Sequence, residues 1–353
     1  MDFSMSSDVA IAAEPSLQPA KGARLDLQCI AEALIVRSAT AYLCLGELRE
    51  LALSPPVIDA IERELYTRFY VRPALTPVVT QSLAAHRDLM NALSAANTGA
   101  GTWEPGWHFI KRENDGRYVV SRDGVCFWTE AGRVRLADND AQPGEFCRVF
   151  VVKELRYLVP GFYYAIGDEP AADDRDRGAA LTRIYWNLTT ADAALAYITS
   201  ITGRLNKCRI AFRTKVLSDA SAYGRGDSGV LSRDTRGLVR AWPIVVDTWR
   251  TLRNDLGVAN PMYTLRLADG IGIADDPGDG RSFGQSRCAI VAAARLVEEL
   301  LAARGLGHLV GGSMKDQHRQ RDLAERPLQP IVGARQRRER PRRLRLVRDQ
   351  WIG

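Results

Sequence analysis

The chain has 353 residues, 46% of them hydrophobic, and a formal net charge of +6. That is enough apolar material for one large domain or two ordinary ones, and no run of apolar residues is long enough for a membrane-spanning helix. Residues 315–353 carry 12 Lys/Arg against 5 Asp/Glu, leaving 36 against 37 elsewhere, so the body lacks the basic surface that nucleic-acid binding needs and nucleic acid is not an expected partner.

Residues 1–22 read as a flexible arm. Asp8 and Glu14 and the lack of a long apolar core there do not fit a secretory leader, so a cytoplasmic location is expected. Apolar residues at three- and four-residue steps predict helices over 25–36, 41–53 and 57–70, and a further one over 78–97 after Pro77. Residues 23–100 are therefore expected to form a helical N-terminal region. Beyond the glycine-rich break at 98–106 the period shortens. Strands are predicted at 118–120 and 125–128, joined by an Asp123-Gly124 turn, then at 148–152, 162–166 and 183–188. Residues 168–177 read as an acidic loop. Thr190 caps a helix to Leu205, Cys208–Leu217 is a strand, and Pro243 opens a helix to Leu256. Strands follow at 263–268 and 271–274, and Ser282 with Gln285 forms a capping box for a helix to about Arg304. The expected class is α+β, a mostly antiparallel sheet packed with helices over 101–310. Residues 311–353 lose periodicity, become Arg-rich and are expected to be disordered.

The six cysteines (Cys29, Cys44, Cys126, Cys147, Cys208, Cys288) form no C-x-x-C, so neither a zinc site nor a disulfide framework is predicted. No cofactor is implied.

The stretch RIAFRTKVL (209–217) places Ile210, Phe212 and Val216 on one strand face and Arg213 and Lys215 on the other. Two neighbouring cations suit a phosphate or carboxylate; a solvated strand face is the alternative. The loop 219–227 adds Tyr223, Arg225 and Asp227, as a site or as an ordinary surface loop with an internal Arg–Asp pair. Arg266 stands opposite Leu265 and Leu267 on the next strand. Arg287 lies in the first turn of the last helix, where the dipole disfavours a cation and an anion would compensate. His108, beside Trp107, is either a general acid or a structural histidine. Lys215 is one of only six lysines among 48 Lys/Arg.

The segments FYYAIGDEP (162–170), RIYWNL (183–188), FRTKVLSDASAYGRGDSGVL (212–231) and YTLRLADGIGIADDPGDGRSFGQSRC (263–288), with ELYTRFYVRP (64–73), resemble the HopA effector family. The likeness runs over about residues 60–305. The family includes type III effectors, which are secreted to a host, and phosphothreonine-lyase-like enzymes of thioamitide and class V lanthipeptide pathways. It implies a phosphorylated precursor peptide as substrate, a separate Ser/Thr kinase that phosphorylates it, and elimination to dehydroalanine or dehydrobutyrine. On that pattern Lys215 is the base, with its pKa lowered by Arg213. Arg225, Arg266 and Arg287 hold phosphate, Asp227 orients an arginine, and Tyr164 or Tyr223 donates to a phosphate oxygen. Ser286 stands where the family pattern often has histidine, and His108 is the substitute acid. The alternative is a non-enzymatic effector or peptide-recognition protein.

Overall fold

The computed structural model describes residues 27, 29–38, 40–51, 57–71, 83–122, 125–138, 141–170 and 181–303. The arm at 1–22, the Asp123-Gly124 turn, most of the acidic loop and the segment 311–353 lie outside them.

The chain opens with β1 (Leu34–Ser38), β2 (Ala41–Cys44) and β3 (Glu47–Glu50), an antiparallel three-stranded sheet. This corrects the helices predicted over 25–36 and 41–53; the first survives only up to residue 33. Leu45 and Gly46 take φ of +52° and +82°, left-handed values that end any helix and reverse the chain into a hairpin. Tyr42 and Cys44 are buried while Ala41 and Leu43 are less so, which is a two-residue period.

Helices begin at α1 (Val57–Glu64), which continues as a π-helical turn, Leu65–Tyr70. Then comes α2 (Leu83–Ala96). Next are β4 (Thr102–Arg112), β5 (Arg117–Arg122), β6 (Val125–Glu130), β7 (Val134–Leu136) and β8 (Phe146–Val151). They form a five-stranded sheet in the order β6-β5-β4-β8-β7, with a small core of Phe109, Val120, Cys147 and Val149.

The rest of the described chain builds the larger sheet. Its elements are β9 (Glu154–Leu155), β10 (Phe162–Ile166), β11 (Leu181–Trp186), α3 (Ala191–Lys207), β12 (Arg213–Leu217), β13 (Gly229–Asp234), α4 (Thr235–Leu252), β14 (Leu265–Ala268), β15 (Ile271–Asp275) and α5 (Phe283–Ala303). Seven strands pair antiparallel in the order β14-β15-β11-β13-β12-β10-β9. Thr190 Oγ1 accepts from the Ala193 N–H at 3.1 Å, and Ser282 and Gln285 cap α5 reciprocally; both caps follow the sequence expectation. α4 does not. It starts at Thr235, where Asp234 accepts from the Gly237 N–H at 2.7 Å, so Pro243 lies in its interior. The carbonyl that Pro243 leaves without a donor belongs to Val239, a residue 58% exposed, so water can satisfy it.

Both faces of the seven-stranded sheet are covered. One packs Trp186, Ile184, Val216 and Leu231 against α2, α3 and α4. The other packs Tyr185, Val230 and Ala274 against α1, its π-helical turn and α5. Among the described residues no helix is long and apolar enough to cross a membrane.

Candidate functional site

Antiparallel register fixes which side chains stand beside Lys215. One row across the sheet reads Tyr164, Lys215, Val230, Tyr185, Gly272, Arg266; the next reads Ile166, Arg213, Ser232, Arg183, Ala274. Directly paired residues share a face, so Lys215, Tyr164, Arg213, Arg183 and Tyr185 all belong to the face covered by α1 and α5. The strand reading of Arg213 and Lys215 as companions on one face thus holds, although β12 begins only at Arg213 and residues 208–212 lie outside it.

Lys215 is half-buried, with its Nζ 4.0 Å from the centre of the Phe162 ring. Burial pushes its ammonium down to about 8. The charge of Asp227 opposes that shift, and those of Arg183 and Arg225 reinforce it. The neighbouring guanidiniums that act on Lys215 are therefore Arg183 and Arg225, not Arg213, which is exposed. An amine in this state is a substantially neutral base under mildly alkaline conditions.

The loop after β12 brings the next two groups. Arg225 donates to Asp227 through two parallel bonds, Nε to Oδ1 at 2.9 Å and Nη2 to Oδ2 at 3.0 Å. Asp227 is 5% exposed, so the pair is a built feature and not a surface contact. A glycine is required between them. The Gly226 N–H donates to Val71 O at 2.8 Å, and a Cβ there would stand 2.8 Å from Pro261 N. This contact docks the loop on the end of the π-helical turn.

That turn supplies residues the sequence reading left out. Tyr66 and Tyr70 stack at 5.2 Å between ring centres. Tyr66 lies beside Arg225, Tyr70 and Arg183 lie beside Tyr185, and Arg183 ion-pairs with Asp276. Burial holds the Tyr66 and Tyr70 hydroxyls well above the ordinary phenol range, so both stay protonated as donors. The i, i+4 spacing of the two tyrosines and the alternation of Arg183 with Tyr185 were the signals available in the sequence.

The other candidates fall elsewhere. Arg266 is on the same face but on β14, four strand spacings from β12, or roughly 19 Å, and it pairs with Asp269. Arg287 is exposed and lies over the ring of Phe283 in its own helix, at 5.1 Å. Tyr223 is buried, with its hydroxyl donating to Leu217 O at 2.6 Å. His108 belongs to the five-stranded sheet, where its Nδ1 donates to Gly144 O at 2.9 Å. Ser286 is buried in the first turn of α5. Among the described residues no group of three His, Cys, Asp or Glu is arranged to hold a metal ion.

Residues 156–317 match the HopA1 effector protein family. Two solved structures are similar over much of their length. The effector protein from Pseudomonas syringae pv. syringae strain 61 is 17% identical, over 87% of this chain and 94% of that one, at a TM-score of 0.40. The effector protein from Pseudomonas syringae pv. tomato strain DC3000 is 16% identical, over 67% of this chain and 79% of that one, at a TM-score of 0.39. No curated protein matches. The matched segment contains Tyr164, Arg183, Lys215, Arg225 and Asp227 but not Tyr66 or Tyr70, so the likeness to the HopA1 effector protein family is carried by residues 156–317 of this chain.

Proposed function

We propose that this protein is a phosphoserine/phosphothreonine lyase that works on a phosphorylated peptide, with Lys215 as the base. The observation that carries the reading is a half-buried lysine with its proton affinity lowered to about 8, on which the charges of Arg183 and Arg225 act. Neutral Lys215 Nζ takes the Cα proton. The C–H pair becomes the Cα–Cβ double bond, the Cβ–O bond breaks, and its electrons leave on phosphate. The products are dehydroalanine or dehydrobutyrine, inorganic phosphate and a protonated lysine. Arg225 and Arg183 stabilise the negative charge that gathers on the leaving group, because guanidiniums match phosphate oxygens in pairs. Tyr164, directly across from Lys215, donates to a phosphate oxygen, and exposed Arg213 adds a positive charge on the same face. The substrate requires a separate kinase to install the phosphate. Natural-product precursor peptides and host proteins are both of this chemical class.

A second reading is binding without chemistry, as an effector. One observation favours it: both guanidiniums whose charges act on Lys215 already have carboxylate partners, Asp227 and Asp276. Mass spectrometry of a phosphothreonine peptide separates the two. Loss of phosphoric acid marks elimination, restoration of the hydroxyl marks hydrolysis and rejects the lyase, and an unchanged peptide leaves binding alone.

A further inference from the structure

The five-stranded sheet takes no part in the chemistry proposed above, yet one of its faces is built for contact. Register places Arg135 directly opposite Arg148, Trp103 opposite Phe150 and His108 opposite Phe146. Phe146, Arg148 and Phe150 alternate on β8, so these pairs lie on one face, away from the core residues Cys147 and Val149. Trp128 joins the same face at the far edge, through its pairing with Val119 and that of Val119 with Lys111. Phe146 is 68% and Trp128 62% exposed; Phe146 lies against His108 at 4.5 Å between ring centres, and Trp128 donates to Glu113 at 3.2 Å with Arg117 beside its ring.

Charge decides what fits. Like charges directly opposed across two strands repel. Arg135 and Arg148 are so opposed, and among the described residues neither has a carboxylate partner. Arg135 lies over the Trp103 ring at 3.9 Å, and Arg148 donates to Trp103 O at 3.2 Å. Both guanidiniums are thus held in place and left un-neutralised. Exposed tryptophan, phenylalanine and arginine together are the composition of binding hot spots.

We propose that this face docks an acidic, extended segment of a partner polypeptide, with its carboxylates between Arg135 and Arg148 and its apolar side chains on Phe146 and towards Trp128. The unpaired charges are positive, which excludes the Arg-rich stretch at 315–353 as occupant. A polypeptide fits better than nucleic acid, because residues 102–151 hold 7 Lys/Arg against 8 Asp/Glu and create no field to gather a polyphosphate. Crossing from β7 to β6 covers roughly 19 Å, about six residues of extended chain.

The test uses the full chain and a labelled synthetic peptide of about twelve residues, twice the span estimated from the strand rise, alternating Glu with Leu and Phe. Fluorescence anisotropy should give saturable binding that falls with added salt. Arg148→Gln should weaken it about tenfold, the loss of one charge-assisted pair; Arg135→Gln with Arg148→Gln, and Phe146→Ala, should weaken it as well. All three positions are at the surface, and an unchanged melting temperature confirms the fold. No binding by the wild type overturns the proposal. So does equal affinity in the double variant, which would place the peptide on the Arg-rich stretch. Tighter binding of an oligothymidylate of equal length overturns it in favour of nucleic acid. Arg148-dependent self-association in sedimentation overturns it in favour of a second copy.

Discussion

The two larger sheets place cations in opposite settings. In the seven-stranded sheet, helices cover both faces, and Lys215, Arg183 and Arg225 are caught under α1 and α5 beside tyrosines and carboxylates. In the five-stranded sheet, Arg135 and Arg148 lie on a face exposed among the described residues and lean on Trp103. The same residue types therefore acquire different chemistry from their cover. Removal from water changes a proton affinity, whereas exposure leaves a charge free to recognise another molecule.

The largest expected effect breaks the covered setting chemically. Lys215→Arg keeps the charge but removes the proposed base, since a guanidinium does not deprotonate. Elimination from a phosphothreonine peptide should fall about 10²–10⁴-fold, the range of general-base catalysis, with peptide binding retained. Next is the cover itself. Trp186 is fully buried, so Trp186→Ala should cost about 3–5 kcal/mol in denaturant unfolding. Phe146→Ala on the bare face should stay within about 0.5 kcal/mol. Comparable losses at both positions would erase the contrast.

A smaller effect sharpens the comparison by its sign. The folded pKa of Lys215, about 8, lies below its unfolded value, so between those values the unfolded chain binds more protons and stability rises with pH. Lys215→Met should therefore raise the melting temperature at pH 7. The gain should shrink as pH climbs through 8 and vanish near 10.5. A gain that grows with pH contradicts the assignment. The smallest expected effect is at Tyr66. Tyr66→Phe removes a buried hydroxyl beside Arg225 but leaves the bidentate bond to Asp227, so it should cost about 1 kcal/mol of stability. In the proposed enzyme it should also slow elimination several-fold, a phenotype that Tyr66→Leu should share.

Local chemistry was legible in the sequence, and non-local pairing was not. Thr190 and the Ser282–Gln285 box announce their helices because a cap is a contact within four residues. The strand at Phe162–Ile166 was read to the residue. Residues 41–53 carry apolar side chains that suit either period, and the left-handed pair Leu45 and Gly46 decides for a hairpin. Lys215 was legible as a rare lysine beside a strand arginine. Arg183 was not, because its closeness to Lys215 depends on β13 lying between β11 and β12. The same strand order separates Arg266 from the site, although in sequence it looked like one more cation on one more strand.

The central claim is that the covered face lowers the proton affinity of Lys215. With only six lysines in the chain, reductive methylation with ¹³C gives a short set of resonances, and Lys215→Arg identifies the one that matters. The signal absent from Lys215→Arg should titrate near 8. If that signal titrates with the others at about 10.4, the value of a solvated lysine, Lys215 is an ordinary surface cation and the account built on it fails.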